Sequence, residues 1–215
     1  MSAAPQKLAA LRHLLAERFP TVSRTIGRVL PTGLSSLDEA TGGLPLSALT
    51  EIVCAAPSCG SHLLLGQLLA VTQAARTRVA LIDSTDSFDP TSFPEDLLTH
   101  LLWVRCLTAG AALQAADLLA RDANLGLVIL DLRRASAAEL RRIPGPQWYR
   151  LQRAVEATDL ALVIETPAAS VPSAQLRLVL EHSHALNTLD LARSQVMALL
   201  TPTLQRQRVS LIAAS

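Results

Sequence analysis

Aromatic side chains are scarce in this sequence. One Tyr, two Trp and three Phe occur among 215 residues, so aromatic packing cannot supply most of the core. Half of the residues are nevertheless hydrophobic, and most of these are Leu, Ala and Val. That content is typical of a globular domain built from tightly packed aliphatic layers, and it argues against disorder. The length suits one substantial α/β domain.

Long hydrophobic runs and a secretory leader are also missing. The longest apolar stretches, near residues 63–71 and 125–132, fall well short of the roughly 20 residues that a membrane span requires. The first 19 residues carry charges throughout, unlike a signal peptide. Three cysteines without framework spacing fit a reducing compartment. We therefore expect a soluble cytoplasmic protein without a membrane partner.

Charge of one sign is not in excess. The formal net charge is +1, so no global basic field indicates a nucleic-acid partner. DNA binding would need a local basic patch or a second protein. We expect any contact with DNA to be indirect or weak.

What the sequence does contain is an alternation of apolar strands and helices. Continuous apolar strands separated by helices predict a mostly parallel, twisted β-sheet covered by helices on both faces. The last forty residues are less regular, and 208–214 are expected to form a closing edge strand. The predicted strands cover 49–55, 78–84, 101–106, 125–132 and 160–166, and the predicted helices cover 61–75, 109–122 and 148–158.

An N-terminal appendage is predicted before this core. Residues 4–19 have the spacing of an amphipathic helix, with an apolar stripe of Leu8, Leu11, Leu15 and Phe19 that Pro20 ends. Such a stripe must be buried on the core or on another chain, which makes it a candidate partner contact. We divide the chain into a helix and linker over 1–27 and a core domain over 28–215.

The stretch CAAPSCGSH, between an apolar strand and a leucine-rich helix, has the position of a phosphate-binding loop of the form GxxxxGK[ST]. Ala55 replaces the first glycine, which is tolerable where φ is negative, and Gly60 retains the second. Ser61 replaces the lysine that neutralises phosphates, and His62 replaces the hydroxyl that binds magnesium. We therefore expect neither ATP nor magnesium as a cofactor. The loop would instead pack internally or meet a partner.

Carboxylates follow two of the predicted strands. Asp131 ends the stretch LVILD, where a nucleotide hydrolase would steer magnesium through water; the alternative is that it caps the following turn. Asp83, Asp86 and Asp89 lie within seven residues and either bind a cation or form a solvated loop, which we favour.

Two further groups of residues are candidate sites. Cys54, Cys59 and His62 form a C-x4-C-x2-H pattern that lacks a fourth zinc ligand, so we predict no metal site. Arginines flank the aromatic pair Trp148 and Tyr149. This group either contacts single-stranded DNA or forms a solvated basic helix face that packs one aromatic inward, which we favour. No GxSxG or other nucleophile signature is present, so no enzymatic activity is expected. The candidate DNA contacts are Arg141, Arg142, Trp148, Arg150 and Arg153.

The segment LPTGLSSLDEATGGLPLSALTEI resembles the opening of the RecA core. The matching residues are Thr32-Gly33, Leu37-Asp38 and Gly42 to Pro45, and LVILDL resembles the Walker B strand. The likeness covers roughly residues 28–166 and continues weakly to the end. It implies a RecA-like core, but Thr85 stands where the family has its catalytic glutamate.

Within that superfamily the chain is most similar to the ImuA proteins of damage-inducible mutagenesis cassettes. The similarity rests on the order and spacing of LPTGLSSLD, GLPLSALTE, LLWVR, AALQAADLLARDANLGLVILDLRR and LRLVLE. It implies a non-catalytic adaptor in SOS error-prone translesion synthesis. The implied partners are an ImuB-like Y-family polymerase homologue, RecA and a DnaE2-type polymerase, and homo- or hetero-oligomers are expected. The alternatives are an ATP- and single-stranded-DNA-binding repair protein with a degenerate loop, or a SulA-like cell-division inhibitor.

Overall fold

A computed structural model describes residues 24–26 and 28–211. The predicted N-terminal helix, with Leu8, Leu11, Leu15 and Phe19, lies outside the described residues. The strands are β1 (Arg24–Ile26), β2 (Val29–Leu30), β3 (Leu44–Pro45), β4 (Ala48–Cys54), β5 (Arg78–Asp83), β6 (Leu101–Arg105), β7 (Leu125–Asp131), β8 (Ala161–Thr166), β9 (Leu176–Leu180), β10 (Thr203–Gln207) and β11 (Val209–Leu211).

A seven-stranded sheet forms the centre of the fold, in the order β10-β9-β4-β8-β7-β5-β6. Every neighbouring pair is parallel except β10 with β9, which is antiparallel. The chain leaves β4 toward one side of the sheet and later places β9 on its other side. The predicted α/β class with a mostly parallel sheet is confirmed, and the arrangement is consistent with a RecA-like core.

Helices cover both faces of this sheet, as predicted. They are α1 (Ser35–Thr41), α2 (Ser61–Ala74), α3 (Glu95–Leu98), α4 (Ala109–Leu119), α5 (Ala137–Arg142), α6 (Gly145–Glu156) and α7 (Arg193–Ala198). On one face, leucines of α2 pack on β4, β5, β7 and β8. On the other, small residues of α4 and the apolar stripe of α6 pack on the same strands. Burial on both faces explains why the strands are continuously apolar.

The segment that resembles the RecA opening has a clear local structure. The Asp38 carboxylate accepts hydrogen bonds from Thr32 N–H at 2.9 Å, Thr32 Oγ1 at 2.7 Å and Gly33 N–H at 2.9 Å. Gly42 ends α1 with φ 76°, a left-handed conformation that favours glycine. Leu37 is buried, so the segment is fixed to the core at the same time. The Asp38 side chain of α1 therefore fixes the Thr32–Gly33 segment that precedes the helix.

A buried ion pair joins β4 and β9, toward one side of the main sheet. Glu51 of β4 is fully buried and accepts from Arg177 Nε of β9 at 2.6 Å. The other carboxylate oxygen accepts from Thr166 Oγ1 at 3.0 Å and from the backbone N–H groups of Ser170 at 2.6 Å and Val171 at 3.1 Å. This carboxylate therefore fixes the connection between β8 and β9.

The C-terminal part departs from the sequence prediction. Residues 208–214 were expected to close the main sheet, but β11 pairs with β1 in a separate two-stranded sheet. The strand at that edge is instead β10, which pairs with β9. β10 is largely exposed, and its polar residues carry none of the apolar signal on which the prediction relied.

We predict that Arg177→Met lowers the free energy of unfolding by about 3–5 kcal/mol, because it leaves the Glu51 carboxylate buried without a cation. The double variant Glu51→Gln, Arg177→Met should be much less destabilised, since a glutamine oxygen still accepts from Thr166 and the backbone. Urea unfolding of the two variants measures the difference. Equal destabilisation would show that the ion pair is not what makes Arg177 important.

Candidate functional site

The degenerate loop has the position of a phosphate-binding loop, between a strand and a helix, and both Ser58 and Gly60 have a positive φ. It connects β4 to α2, and Gly60 at the start of α2 has φ 87°. Ala55 does not adopt a positive φ, so alanine is tolerated where the motif has its first glycine. Ser61, at the lysine position, is buried in the first turn of α2. The turn and the start of α2 therefore form with Ser61 and His62 in place of the lysine and hydroxyl of the motif.

An arginine from another loop fills the place of the missing cation. Arg133, two residues beyond the end of β7, donates from Nη1 to Ser61 Oγ at 2.5 Å and lies with Nη2 3.1 Å from His62 Nε2. The same guanidinium donates to both oxygens of Asp131, at 3.0 and 2.5 Å. Arg133 thus connects the two loop positions that differ most from the motif to the Walker-B-like aspartate.

A second carboxylate shares this arginine. Glu165, at the end of β8, lies 3.0 Å from Arg133 Nε. It is the direct register partner of Asp131 across the β7–β8 pair, so two buried carboxylates stand side by side. One guanidinium faces both of them. Asp131 and Glu165 therefore both face this cation, although Arg133 also lines the cleft beside the loop.

Burial and charge set the protonation of this cluster. Burial raises the pKa of Glu165 to about 8, although the Arg133 cation opposes the shift. Burial opposes the charge on Arg133 as well, but Glu165 and Asp131 together raise its pKa above the usual range. Burial and the Arg133 cation both lower the pKa of His62. His62 is therefore a neutral imidazole at neutral pH.

The two cysteines of the loop also belong to this environment. The Cys54 thiol, the backbone N–H and hydroxyl of Ser61 and the Arg133 cation lower the pKa of Cys59, while burial opposes that shift. The same thiol contact and burial raise the pKa of Cys54. No group of three or more His, Cys, Asp or Glu side chains in the described part of the chain has the arrangement of a metal site.

The segment after β9 lies over the loop. His184 N–H donates to the Ser58 carbonyl at 3.0 Å, and Ser183 Oγ donates to the Pro57 carbonyl at 2.7 Å. A Cβ atom added at Gly60 would come within 2.7 Å of Leu200 and 3.0 Å of the His184 ring. A cleft of about 1010 Å³ remains beside the loop, bordered by Arg134 and Arg193. The segment after β9 therefore covers part of the loop and hydrogen-bonds to it.

The three aspartates after β5 serve local roles. Asp83 is buried and accepts from the backbone N–H groups of Phe88 at 2.8 Å and Thr85 at 3.2 Å. Asp86 accepts from Arg105 Nε at 2.7 Å. Asp89 accepts from Thr91 N–H at 3.0 Å and begins a 3-10 turn. Their hydrogen bonds are those of an ordered turn, and the expectation of a solvated loop is wrong for Asp83, which is buried.

The predicted DNA contacts differ in their exposure to solvent. Trp148 is 2% exposed and packs in the core, so it cannot stack on a base, and its role in the prediction was wrong. The exposed aromatic is its neighbour Tyr149, at 53%. Arg150 pairs with Asp117 at 3.1 Å. Arg141, Arg142 and Arg153 are solvent-exposed.

Comparisons with known proteins do not place the chain in a family. A scan against protein-family models found no match, and a search of curated proteins found none either. Among the described residues, no helix is long and apolar enough to cross a membrane. Functional inference therefore depends on the geometry and on the resemblance noted from the sequence.

Sequence reasoning identified Ser61, His62 and Asp131 but missed Arg133 and Glu165. A signal for Arg133 was present, because an arginine directly after the Walker-B-like strand is within reach of that strand's aspartate. The sequence contains a single lysine, Lys7, so the cation of the core had to be an arginine. Glu165 gave no comparable signal, since its role depends on β8 lying beside β7.

We predict that Glu165→Gln changes the pH dependence of stability. The folded pKa of Glu165 is about 8, above its ordinary 4.5, so the stability it contributes is present below pH 4.5 and disappears as pH rises toward 8. Relative to the wild type, the variant should gain about 1–3 kcal/mol in unfolding free energy between pH 5 and about pH 8.5. Urea unfolding across this range measures it.

Glu139→Gln is the matched control for this experiment. Hydrogen bonds from the Ser136 N–H and hydroxyl lower the pKa of Glu139, so its titration falls below the tested range. That variant should differ from the wild type by the same amount at every pH in this range. A parallel profile for Glu165→Gln would contradict the assignment of the shift to Glu165.

Proposed function

We propose that this protein is a catalytically silent RecA-like adaptor in damage-induced, error-prone translesion DNA synthesis. It would act in the cytoplasm and bind an ImuB-like Y-family polymerase homologue, RecA and, through them, a DnaE2-type polymerase. The pathway and the partners come from the sequence resemblance. The contacts of Arg133 in the structure support the proposal that the nucleotide loop is silent.

The observation that carries the silent-adaptor proposal is the set of contacts around Arg133. A phosphate-binding lysine must be mobile and must direct its charge toward the ligand. Arg133 instead directs its donors to Asp131, Ser61, His62 and Glu165. The magnesium-steering carboxylate is occupied by the same guanidinium. The cation that would bind phosphate and the carboxylate that would bind magnesium are thus paired with each other.

The alternative is a nucleotide-binding repair protein that uses arginine in place of lysine. The cleft beside the loop, bordered by Arg134 and Arg193, is the observation that favours it. To bind a triphosphate, Arg133 would have to break its ion pairs with Asp131 and Glu165. The SulA-like inhibitor has no structural observation in its favour.

We predict no saturable ATP·Mg²⁺ binding by the wild type in the micromolar range, and none by Ser61→Lys, His62→Thr, because Arg133 still occupies Asp131. Adding Arg133→Ala to that pair frees the aspartate and the space at the loop. The triple variant should then bind at least about tenfold more tightly than the double variant, which corresponds to about 1.4 kcal/mol. Titration with fluorescent ATP measures these affinities.

Arg134→Ala on the Ser61→Lys, His62→Thr background is the matched control, since it removes the neighbouring arginine and leaves the Arg133–Asp131 pair in place. It should leave binding unchanged. Circular dichroism confirms that each variant is folded. Saturable micromolar binding by the wild type, abolished in Asp131→Asn, would reverse the ranking in favour of the nucleotide-binding alternative.

The partner prediction is tested with the full chain. We expect co-elution with a purified ImuB-like polymerase homologue on size-exclusion chromatography. Changing Leu8, Leu11 and Leu15 to Asp should abolish it, because the stripe would no longer be apolar. The division protein FtsZ serves as the comparison. Binding to FtsZ without binding to the polymerase homologue would favour the inhibitor instead.

A further inference from the structure

Two cysteines lie at opposite ends of the degenerate loop and border the same cleft. Cys54 is the last residue of β4, and Cys59 comes directly before the Gly60 that precedes α2. Both line the cleft of about 1010 Å³ beside the loop, and both belong to the apolar cluster that contains the leucines of α2. Ser58 (φ 50°) and Gly60 (φ 87°) turn the chain on either side of Cys59. The loop therefore brings the two side chains to one place.

The two thiols are hydrogen-bond partners of each other. A disulfide forms only where two sulfur atoms can approach closely, and this contact supplies that approach. The third cysteine of the chain, Cys106, packs against the cluster on the opposite face of the main sheet. Cys54 and Cys59 are therefore the only pair of cysteines that meets this requirement, since the sequence contains three.

The cleft gives a small reagent access to this pair. Cys54 is half-buried, and Cys59 is buried but forms part of the cleft wall. Arg133, Arg134 and Arg193 line the same cleft, and its described lining contains no acidic side chain. Reactive cysteines are typically found in such electropositive and partly accessible surroundings. A small neutral oxidant therefore reaches sulfur atoms that a bulky reagent would not.

The surroundings of Cys59 favour its thiolate. The hydrogen bond from the Cys54 thiol, the N–H and hydroxyl of Ser61 and the Arg133 cation lower the pKa of Cys59 to about 6, although burial opposes the shift. Burial and a neighbouring carboxylate instead raise the pKa of Cys106. Because the thiolate is the nucleophile in thiol oxidation, Cys59 is expected to react first.

We propose that Cys59 is a site of reversible oxidation by hydrogen peroxide, and that Cys54 is the second thiol, which closes a disulfide across the loop. The Cys59 thiolate attacks one peroxide oxygen, the O–O bond breaks, and Cys59 becomes a sulfenic acid. The departing hydroxide takes up the proton that Cys59 had released to solvent and becomes water.

The second step joins the two sulfur atoms. Cys54 sulfur attacks Cys59 sulfur, so that the S–S bond forms as the S–O bond breaks, and hydroxide leaves with the Cys54 proton as water. In total, two thiols lose two electrons and one hydrogen peroxide is reduced to two waters. A small dithiol reverses the oxidation by thiol–disulfide exchange.

The first step prepares Cys54 for the second. The contact with Cys59 is the largest cause that raises the pKa of Cys54, followed by burial. A sulfenic acid at Cys59 carries no charge at neutral pH, so the thiolate no longer opposes ionisation of its neighbour. The Arg133 cation lowers the pKa of Cys54 and remains in place. Oxidation of Cys59 therefore favours the attack by Cys54.

Oxidation also changes the charge balance of the cluster around Arg133. Besides burial and Asp131, the Cys59 thiolate raises the pKa of Glu165. A disulfide removes that negative charge, so the pKa of Glu165 should fall in the oxidised protein. The redox state of the loop is thus coupled to the buried ion pairs. None of these steps involves a nucleotide or a polymerase partner, so the proposal goes beyond the proposed function and is tested separately from it.

The test treats the full folded chain with hydrogen peroxide at pH 7, blocks the remaining thiols with iodoacetamide and maps tryptic peptides by mass spectrometry. Trypsin places Cys54 and Cys59 together in the peptide 29–76, and Cys106 alone in 106–121. Peptide 29–76 should lose two hydrogens and escape alkylation, while 106–121 stays alkylated. Its thiols should disappear at least about threefold faster than that of Cys106. Dithiothreitol should restore both thiols.

Single serine variants distinguish the roles of the two cysteines. Cys54→Ser should stop at the sulfenic acid, which dimedone traps on Cys59, because no second thiol is present. Cys59→Ser should leave Cys54 reduced and open to alkylation after the same treatment. Cys106→Ser is the matched control and should form the disulfide as the wild type does. Circular dichroism confirms that each variant is folded.

The pH dependence of alkylation provides an independent measurement on the untreated protein. The rate at Cys59 should level off by about pH 7, since its pKa is about 6. The rate at Cys106 should still rise at pH 9, because its pKa is raised above the ordinary 9.0.

Three results would overturn the proposal. One is oxidation of Cys106 as fast as that of Cys59. Another is a disulfide that joins two molecules while the two ends of the loop stay unlinked. The third is a Cys59→Ser variant in which Cys54 is oxidised at the wild-type rate, which would mean that Cys59 is not the thiol that reacts first.

Discussion

Two buried carboxylates that face each other across neighbouring parallel strands set the main constraint on this molecule. Asp131 and Glu165 occupy paired buried positions at the carboxyl ends of β7 and β8, and burial raises the pKa of Glu165 to about 8. An uncompensated pair of this kind would be costly, since desolvated charges must be matched by a nearby opposite charge. Arg133 supplies that charge, and in doing so it reaches the first turn of α2.

This arrangement couples the sheet to the loop that resembles a nucleotide site. The carboxyl ends of parallel strands are where α/β folds bind ligands, because strand ends and helix N-termini converge there. Here the same crevice contains an arginine from the loop after β7 and a cover from the segment after β9. Ser61, His62 and Asp131 all lie within hydrogen-bonding distance of Arg133. Ser61 stands where the motif has its lysine, and Arg133 donates a hydrogen bond to it.

The Glu51 carboxylate also contacts several parts of the fold at once. Its carboxylate satisfies Arg177 and two backbone N–H groups, and so fixes how the chain passes from β8 to β9. Because Arg177 is neutralised, Arg206 can be placed opposite it on β10.

The sequence by itself determined the alternation of strands and helices, and with it the parallel sheet, because burial on both faces leaves a continuous apolar signal in each strand. It also determined that the loop lacks its lysine and its hydroxyl. Helical spacing of Trp148, Leu151 and Val155 already contained the information that Trp148 faces inward and Tyr149 outward. Only the tertiary structure decided that Arg133 meets Glu165 and that Arg206 meets Arg177. Those contacts depend on which strands become neighbours, and no local pattern of hydrophobicity records that choice.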